Sequence, residues 1–358
     1  MNEKTKTILK IVISIVLIVI SGYFSVKDIS FEELADDVIN ANYFWVIISI
    51  PIILLAHVLR AWRWKTMLKP IIDAKSIYNL FKAVMIGYAA NSVTPRGGEL
   101  LRPYSYARQE NVSFTSVFAT IIVERFLDIL TLLSLFALSL ILFNEKINSA
   151  LTEVMIKLGD GTSSTINLNS IIFISAILLI VIIFAFYPPI AEFLLKIFVK
   201  PFSKKYYEKF VTLFEKFRVG FGIIKKPREY VRIIIQSLLI WVCYGLPMYL
   251  MFFSFDFQSR LDLGADDAFL LLIVVGIAVT IAPTPGAVGV HHVAVRWAMM
   301  ALYAKYGLTM KEALAYAIIT HGINYIVNSL VGGYYYVRLK KKIPQKGEIE
   351  AEISKEAL

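Results

Sequence analysis

Cysteine and charge are both scarce in this sequence. The one cysteine, Cys243, lies inside an apolar stretch, so the chain cannot form an internal disulfide. Charged residues make up 18% of the 358 residues, below the roughly 25% of soluble domains, and 58% of the residues are hydrophobic. This composition excludes an ordinary soluble domain and indicates an all-α polytopic membrane protein.

Catalytic and nucleotide-binding motifs are also missing. The sequence contains no GxGxxG, P-loop, GxSxG, CxxC or HExxH pattern. An enzyme is therefore not favoured, and we expect no cofactor and no bound metal. The formal net charge is +10, but the basic residues gather beside apolar stretches, so nucleic acid is not expected as a partner.

Six apolar stretches are long enough to cross about 30 Å of hydrocarbon as helices. They cover about residues 8–26, 43–59, 113–143, 171–187, 231–255 and 313–337. The N-terminal stretch has no small-residue cleavage site, so we expect a retained span rather than a signal peptide. The acidic segment after it has apolar residues at helical spacing, which predicts a short helix on the membrane surface.

The distribution of lysine and arginine orients these spans. Basic residues are dense in the loop 188–230, and they follow the second and last spans in RAWRWK and RLKKK. Basic loops face the cytoplasm. We therefore expect a single transmembrane domain at 1–340 in the cytoplasmic (inner) membrane, with both termini inside and a short charged tail at 341–358.

Two further apolar regions, at 77–109 and 265–307, must each begin and end on one side of the membrane if the basic loops face the cytoplasm. Proline and glycine interrupt them, in VTPRGGE and APTPGAVG, where helices should stop. We expect two oppositely oriented re-entrant helical hairpins in addition to six full transmembrane helices. Each hairpin precedes a span, and VFATIIVERFLDIL weakly matches LAYAIITHGINYIV. This arrangement resembles an inverted repeat, in which interrupted helices form transporter binding sites.

Charged and small residues gather at the first break, in NSVTPRGGELLRPY. A helix N-terminus attracts anions and glycine permits close approach, so this backbone with Arg96 and Arg102 is a candidate phosphate site. Glu99 is three residues from each arginine and can pair with either on a helix. The proline after Arg102 is expected to kink or end the returning helix. The alternative is a cytoplasmic loop with an ordinary ion pair.

A second group of charges lies within the third span, in ERFLD. Glu124 and Asp128 share a helix face, and Arg125 is expected to neutralise Asp128 three residues on. Each charge costs roughly 2.5–3.5 kcal/mol at a helix centre on insertion scales, so this face should look into the bundle. Glu124 is then available to a hairpin arginine, a cationic ligand or a proton. The alternative is a structural ion-pair lock.

Histidines follow the second break, in PTPGAVGVHHVAVRW. His292 and Arg296 are four residues apart on the returning helix and can face one cavity. The adjacent His291 and His292 lack metal-ligand spacing and a nearby carboxylate. His321 and Asn324 are polar within the last span, where hydrogen bonding across helices is the simpler interpretation.

The three stretches NSVTPRGGELLRPY, ERFLD and APTPGAVGV resemble, in order and spacing, the polar motifs of the lysylphosphatidylglycerol synthase transmembrane region, the flippase-like family. The resemblance covers nearly the whole chain and implies a lipid-translocating module, which some members fuse to a soluble aminoacyl transferase. No transferase follows here, so that activity is not expected. The family pattern marks Asn91, Pro95, Gly98, Glu99, Arg102, Glu124, Arg125, Asp128, Pro283, Pro285, Gly286 and Gly289.

The sequence departs from the family pattern at the second break. The family usually has a second glycine where Ala287 stands, and often a glutamate where His291 and His292 stand. A role that needs a carboxylate at this hairpin is therefore not expected.

Together these features predict a flippase or scramblase of a phosphate-bearing phospholipid, aminoacyl-phospholipid or polyprenyl or glycolipid. The expected partner is a membrane lipid with an anionic head group, and a homo-oligomer or a separate lipid-modifying enzyme is left open. The alternatives are an integral membrane enzyme or accessory subunit acting on a lipid-linked sugar or phosphate, and an ion-coupled small-solute transporter. The candidate substrate-binding residues are Asn91, Thr94, Arg96, Gly97, Gly98, Glu99, Arg102, Glu124, Arg125, Asp128, Pro283, Pro285, Gly286, Gly289, His291, His292, Arg296, His321 and Asn324.

Overall fold

The structure, a computed structural model, describes residues 30–69, 76–157 and 227–339, together with single residues and pairs elsewhere. These residues form α-helices, two short 3₁₀ helices and no strand, which confirms the all-α class for this part of the chain. The helices are α1 Phe31–Ile39, α2 Tyr43–Leu68, α3 Ile77–Val93, α4 Gly98–Glu110, α5 Phe114–Leu142, α6 Asn144–Lys157, α7 Pro227–Ser254, α8 Phe257–Arg260, α9 Ala265–Ile281, α10 Val290–Tyr303 and α11 Met310–Leu339.

Among the described residues, four helices are long and apolar enough to cross a membrane, namely α2, α5, α11 and the segment Arg228–Ser254 of α7. They correspond to four of the six expected spans. The expected spans at 8–26 and 171–187 lie outside the described residues, as do most of the loop 188–230 and the tail 341–358. The short helix expected after the first span is present as α1.

Helix α2 continues to Leu68, well past its expected end at residue 59. The expectation that RAWRWK forms a basic loop is therefore wrong. Arg60 and Arg63 are only 3% and 0% exposed. Arg63 donates from Nη1 to the Ser237 hydroxyl at 2.9 Å. Because these arginines are buried and bonded within the fold, they are not loop charges that can orient the span.

The chain divides into two compact units. Unit 1 comprises Met1–Lys65, Lys75–Phe118 and Gln236–Leu358, and unit 2 comprises Thr66–Ala74 and Ala119–Ile235. Helices α3, α4 and α8 to α11 belong to unit 1, whereas α6 and most of α5 belong to unit 2. The single transmembrane domain at 1–340 stays a prediction.

Aromatic packing forms the core of unit 1. Phe252, Phe257 and Tyr316 are fully buried, and their ring centroids are 5.3 to 6.5 Å apart. The Tyr316 hydroxyl donates to the Met248 carbonyl at 2.7 Å, which satisfies the polar end of a buried ring. This cluster fixes α7 against α11.

Helices α3 and α4 form an antiparallel pair in unit 1. Helix α3 ends at Val93 because Thr94 precedes a proline and adopts an extended backbone, with φ of −133° and ψ of 137°. At the far end, the Asn79 side chain donates from Nδ2 to Glu110 at 2.9 Å, so the start of α3 lies beside the end of α4. The expected break at VTPRGGE is thus confirmed as a turn between two helices.

Helices α9 and α10 form a second antiparallel pair. The Tyr303 hydroxyl at the end of α10 donates to Asp267 at the start of α9. Between them the chain makes a 3₁₀ turn, with φ of 58° at Gly286 and 82° at Gly289. Glycine suits both positions because it has no Cβ to clash in the left-handed region. The break expected in APTPGAVG is confirmed.

Candidate functional site

The two breaks meet in unit 1. Arg96, in the turn of the first pair, donates from Nη2 to the carbonyl of Thr280 in the last turn of α9, at 3.3 Å. That carbonyl has no partner within its own helix, so the arginine satisfies an orphan acceptor of the second pair. A Cβ on Gly286 would lie 3.4 Å from Cα of Ser92, which shows how closely the turns approach.

The backbone N–H groups of the first break already have partners. Gly98 N–H donates to Oδ1 of Asn91 at 2.8 Å, and Gly97 N–H donates to the Thr94 carbonyl at 3.2 Å. Glu99 N–H donates to the carbonyl of Arg96 at 3.1 Å. The expectation of open N–H groups for a phosphate is therefore wrong at these positions.

Side chains also satisfy the backbone of the second break. His321 donates from Nε2 to the Gly286 carbonyl at 2.7 Å, and Gly289 N–H donates to Nδ1 of His292 at 3.3 Å. The Thr284 hydroxyl donates to the carbonyl of Val288 at 2.8 Å. His321 thus bonds to another element, as expected, whereas Asn324 donates to the Thr320 carbonyl of its own helix. His292 acts as a cap of α10.

Arg102 is placed differently from expectation. It is 4% exposed, and its guanidinium carbon lies 4.0 Å from the ring centroid of the fully buried Trp64. This is the geometry of a buried cation–π contact. Pro103 does not end the helix, since α4 continues to Glu110. Arg96 precedes α4, so the helical spacing expected between it and Glu99 does not apply.

In unit 2, the expected pairing within ERFLD is confirmed. Arg125 Nη1 lies 3.9 Å from Asp128 Oδ2. Glu124 is fully buried, as expected of a charge near a helix centre.

A cavity of about 140 Å³ lies inside unit 1. Its polar lining comes from α2, α7, α10 and α11, and its apolar lining includes Ile53, Leu272 and Ile323. His291 and Asn324, both predicted as site residues, line it, whereas His292 and Arg296 do not. The polar lining residues are His57, Cys243, Tyr244, His291, Thr320 and Asn324.

His57 is the most buried polar residue of this cavity. It is 2% exposed, its Nε2 lies 2.7 Å from Oδ1 of Asn328, and its ring centroid lies 4.2 Å from that of Tyr88. Behind it, Arg60 donates from Nε and Nη2 to the Tyr244 hydroxyl at 3.1 and 2.9 Å. Tyr244 is 3.0 Å from the Tyr88 hydroxyl. This network joins α2 to α3, α7 and α11 beside the cavity.

Three histidine rings lie together at the second break. His291 stacks on His321 with centroids 5.0 Å apart, and His292 meets His321 edge-on at 4.8 Å. Across the part of the chain that the structure describes, no group of three or more His, Cys, Asp or Glu side chains is arranged to hold a metal ion.

Sequence reasoning missed His57, Tyr244 and Thr320. One signal was present, since His57, Arg60 and Arg63 recur every third residue beside an apolar run. Ionisable residues inside a span mark a functional site by default. The two arginines were assigned to a loop because the expected span ended at residue 59, whereas His57 lies inside that span and was not recognised as a site residue.

Comparison with known proteins agrees with the motifs. The family model described as the lysylphosphatidylglycerol synthase TM region matches residues 7–332. A UPF0104 membrane protein of Pyrococcus horikoshii is 24% identical over 355 residues, which are 94% of this chain and 98% of that protein. No solved structure matches significantly.

Two shorter matches have the same description. A UPF0104 membrane protein of Methanocaldococcus jannaschii is 30% identical over 126 residues, which are 34% of this chain and 38% of that protein. One of Methanothermobacter thermautotrophicus is 28% identical over 112 residues, which are 30% and 33% of the two chains. Because the family model spans most of the sequence, the chain is a multi-pass membrane protein that belongs to the lysylphosphatidylglycerol synthase transmembrane-region family.

Proposed function

We propose that this protein moves a phosphate-bearing lipid between the leaflets of the cytoplasmic membrane, as a flippase or scramblase. The observation that carries the proposal is the meeting of two interrupted helical pairs at their breaks, beside a cavity that six polar and seven apolar residues line. Interrupted helices that meet in this way form the substrate sites of many transporters.

The dimensions of the paired helices support re-entrant hairpins. Helices α3 and α9 have 17 residues, α4 has 13 and α10 has 14. At 1.5 Å per residue they are about 20–26 Å long, short of the roughly 30 Å hydrocarbon core. Non-helical backbone at such depth needs internal partners, and side chains of Asn91, Arg96 and His321 supply them at the breaks.

In this proposal the phosphate binds at Arg96. This arginine is exposed, and its contact with the Thr280 carbonyl uses one of its five N–H donors. A guanidinium can therefore contact a phosphate while it holds the two breaks together. Arg102 has a structural role in this proposal, because it packs on Trp64 and so fixes α4.

The volume of the cavity favours a second candidate. About 140 Å³ suits a small solute as well as part of a lipid head group. An ion-coupled small-solute transporter would leave labelled lipids in their original leaflet, so one vesicle experiment separates the two functions.

The experiment reconstitutes the full chain in vesicles that contain a fluorescent phosphatidylglycerol in both leaflets, and bleaches the outer leaflet with a membrane-impermeant reductant. We expect faster and more complete bleaching than in protein-free vesicles, and a several-fold slower rate for Arg96→Gln. The matched control is Arg338→Gln, which removes an exposed arginine from the end of α11 and should leave the rate unchanged. Equal rates for Arg96→Gln and the wild type would contradict the phosphate site.

A further inference from the structure

Helix α7 contains a proline at the place where it lines the cavity. Pro247 lies inside α7, and the residues of α7 that line the cavity are Cys243, Tyr244, Pro247, Met248 and Met251. A proline has no N–H, so it cannot bond to the carbonyl four residues earlier, which here belongs to Cys243. Sharp bends of helices occur at such positions. The cavity wall is therefore built around a point at which α7 can bend.

After Pro247, α7 is held by apolar packing. Met251 and Phe252 are fully buried, and the ring centroid of Phe252 lies 5.3 Å from that of Tyr316 on α11. The Tyr316 hydroxyl also donates to the Met248 carbonyl at 2.7 Å. Separation of this part of α7 from α11 would expose buried apolar side chains to water, which the hydrophobic effect opposes. We therefore expect this part to stay in place.

Before Pro247, α7 is joined to its neighbours by polar contacts. The Tyr244 hydroxyl accepts bonds from Nε and Nη2 of Arg60 at 3.1 and 2.9 Å, and it lies 3.0 Å from the hydroxyl of Tyr88 on α3. We call Arg60, Tyr88 and Tyr244 the latch. Polar groups that separate in a hydrated cavity exchange these bonds for bonds to water, so the net contribution of each bond is modest.

The two faces of this part of α7 differ. Arg63 donates from Nη1 to the Ser237 hydroxyl at 2.9 Å, and Ser237 is two helical turns from Tyr244, so the polar contacts share one face. The opposite face carries the exposed apolar side chains of Leu239 and Val242, which suit contact with lipid. Outward movement of this part of α7 therefore separates polar groups and displaces lipid, and it breaks no apolar packing on the exposed face.

Helix α7 thus has two differently attached parts on either side of a bend. We propose that α7 is a gate of the cavity, which opens by bending at Pro247 when the latch separates. The latch lies on the side of the cavity toward the end of α2 and the start of α7, the side expected to be cytoplasmic. The purpose of the gate rests on the proposed lipid transport, in which the substrate needs access to the cavity. The opening itself can be measured without any lipid substrate.

Cys243 makes the opening measurable in the wild-type chain. It is the single cysteine of the sequence, it lines the cavity and it is 6% exposed. The purified full chain in detergent is treated with N-ethylmaleimide, and the labelled fraction is followed by intact mass spectrometry. The chain unfolded in dodecyl sulfate gives the rate of a fully accessible thiol. We expect the wild type to react much more slowly than the unfolded chain, because the thiol is reached only when the gate opens.

Removal of the hydroxyls of the latch should open the gate. Tyr244→Phe removes the acceptor of both Arg60 donors, and it should raise the labelling rate about tenfold, as the loss of one or two hydrogen bonds provides. Tyr88→Phe removes one bond and should raise the rate about threefold. The matched control is Tyr249→Phe, which removes a hydroxyl from α7 after Pro247 and away from the cavity lining. This control should keep the wild-type rate.

Substitution of the proline tests the bend. Pro247→Ala supplies an N–H that can bond to the Cys243 carbonyl, so it should straighten α7 and lower the labelling rate severalfold. The same substitution should also slow labelling of Tyr244→Phe. The control is Pro51→Ala, which removes the proline inside α2 and should leave the rate unchanged. Damage to the fold can only speed labelling, so slower labelling distinguishes a gate from a merely structural role.

The gate has definite contrary results. Equal labelling of the wild type, Tyr244→Phe and Tyr88→Phe would overturn the latch, and unchanged or faster labelling of Pro247→Ala would overturn the bend. Labelling of Tyr249→Phe as fast as that of Tyr244→Phe would show general loosening of α7 and also overturn the latch. Size-exclusion profiles identify any variant that does not fold. If the labelling results hold but lipid never moves between leaflets, the gate stands and the transport function fails.

Discussion

The backbone of Ala287 lies in the left-handed region, with φ of 62°. A residue with a Cβ is strained there by roughly 1–2 kcal/mol. The family usually has a glycine at this position, so the sequence departs from the usual pattern at a place where the fold favours glycine.

Ala287→Gly should therefore stabilise the protein. We expect the free energy of unfolding to rise by about 1 kcal/mol, because relief of strain exceeds the added freedom of the unfolded chain. Thermal or denaturant unfolding in detergent measures the change. Ala301→Gly, in the helical interior of α10, is the matched control and should lower stability by about 0.5–1 kcal/mol. A loss of stability in both variants would contradict the strain at Ala287.

Individual contacts were predictable from the sequence only where they are local. The Arg125–Asp128 pair follows from helical spacing of three residues, and the structure contains it. The stacking of Arg102 on Trp64 and the bond of His57 to Asn328 join residues far apart in the chain, so no local pattern indicated them. Three predicted ligands, Asn91, His292 and His321, instead satisfy backbone groups.

Helix α11 approaches α3 closely at Gly332. A Cβ added there would overlap the Met85 carbonyl oxygen and approach the Ala89 side chain to 2.7 Å, whereas one added at the adjacent Gly333 would meet nothing within 4 Å. The obstacle at Gly332 is backbone, which cannot rotate away. The packing of these two elements therefore depends on one of two neighbouring glycines.

Substitution of the two glycines tests this packing directly. Gly332→Ala should lower the free energy of unfolding by about 1–3 kcal/mol, the usual cost of overpacking. Gly333→Ala should be neutral or raise it by up to about 1 kcal/mol, since alanine favours the helix. Unfolding curves of the two variants, measured under the same conditions, compare these effects. Equal effects of the two substitutions would show that α3 and α11 do not pack as described.

Element boundaries were predictable where covalent chemistry sets them. The prolines and glycines of VTPRGGE and APTPGAVG stop helices through their own backbone restrictions, and both breaks were located correctly. The end of α2 was placed too early, because Arg60 and Arg63 are charged and were therefore assigned to a loop. Their burial depends on Tyr244 and Ser237 of α7, which lie more than 170 residues away along the chain.

The proposed re-entrant hairpins predict the membrane topology of the chain. Single cysteines in a Cys243→Ala background should react with an impermeant maleimide from the face to which they are exposed. Cysteines at the exposed positions Tyr78 and Asn111 should react from one face of the membrane, and cysteines at Asp262 and Tyr306 from the other. Labelling of Tyr78→Cys and Asn111→Cys from opposite faces would contradict a hairpin that enters the membrane and returns to the same side.

Membrane class and family were readable from the whole sequence, because composition and three spaced motifs report on the entire chain. The position of the cavity could not be predicted from the sequence. It depends on five helices that converge in unit 1. The position of His57 in this cavity and its bond to Asn328 are visible only in the structure.

Transbilayer movement of lipid by the purified wild-type chain is the most direct measurement of the proposed function. In vesicles with labelled phosphatidylglycerol in both leaflets, an impermeant reductant should bleach the outer leaflet alone when protein is absent and both leaflets when it is present. The same bleached fraction with and without protein, for every head group tried, would contradict lipid transport.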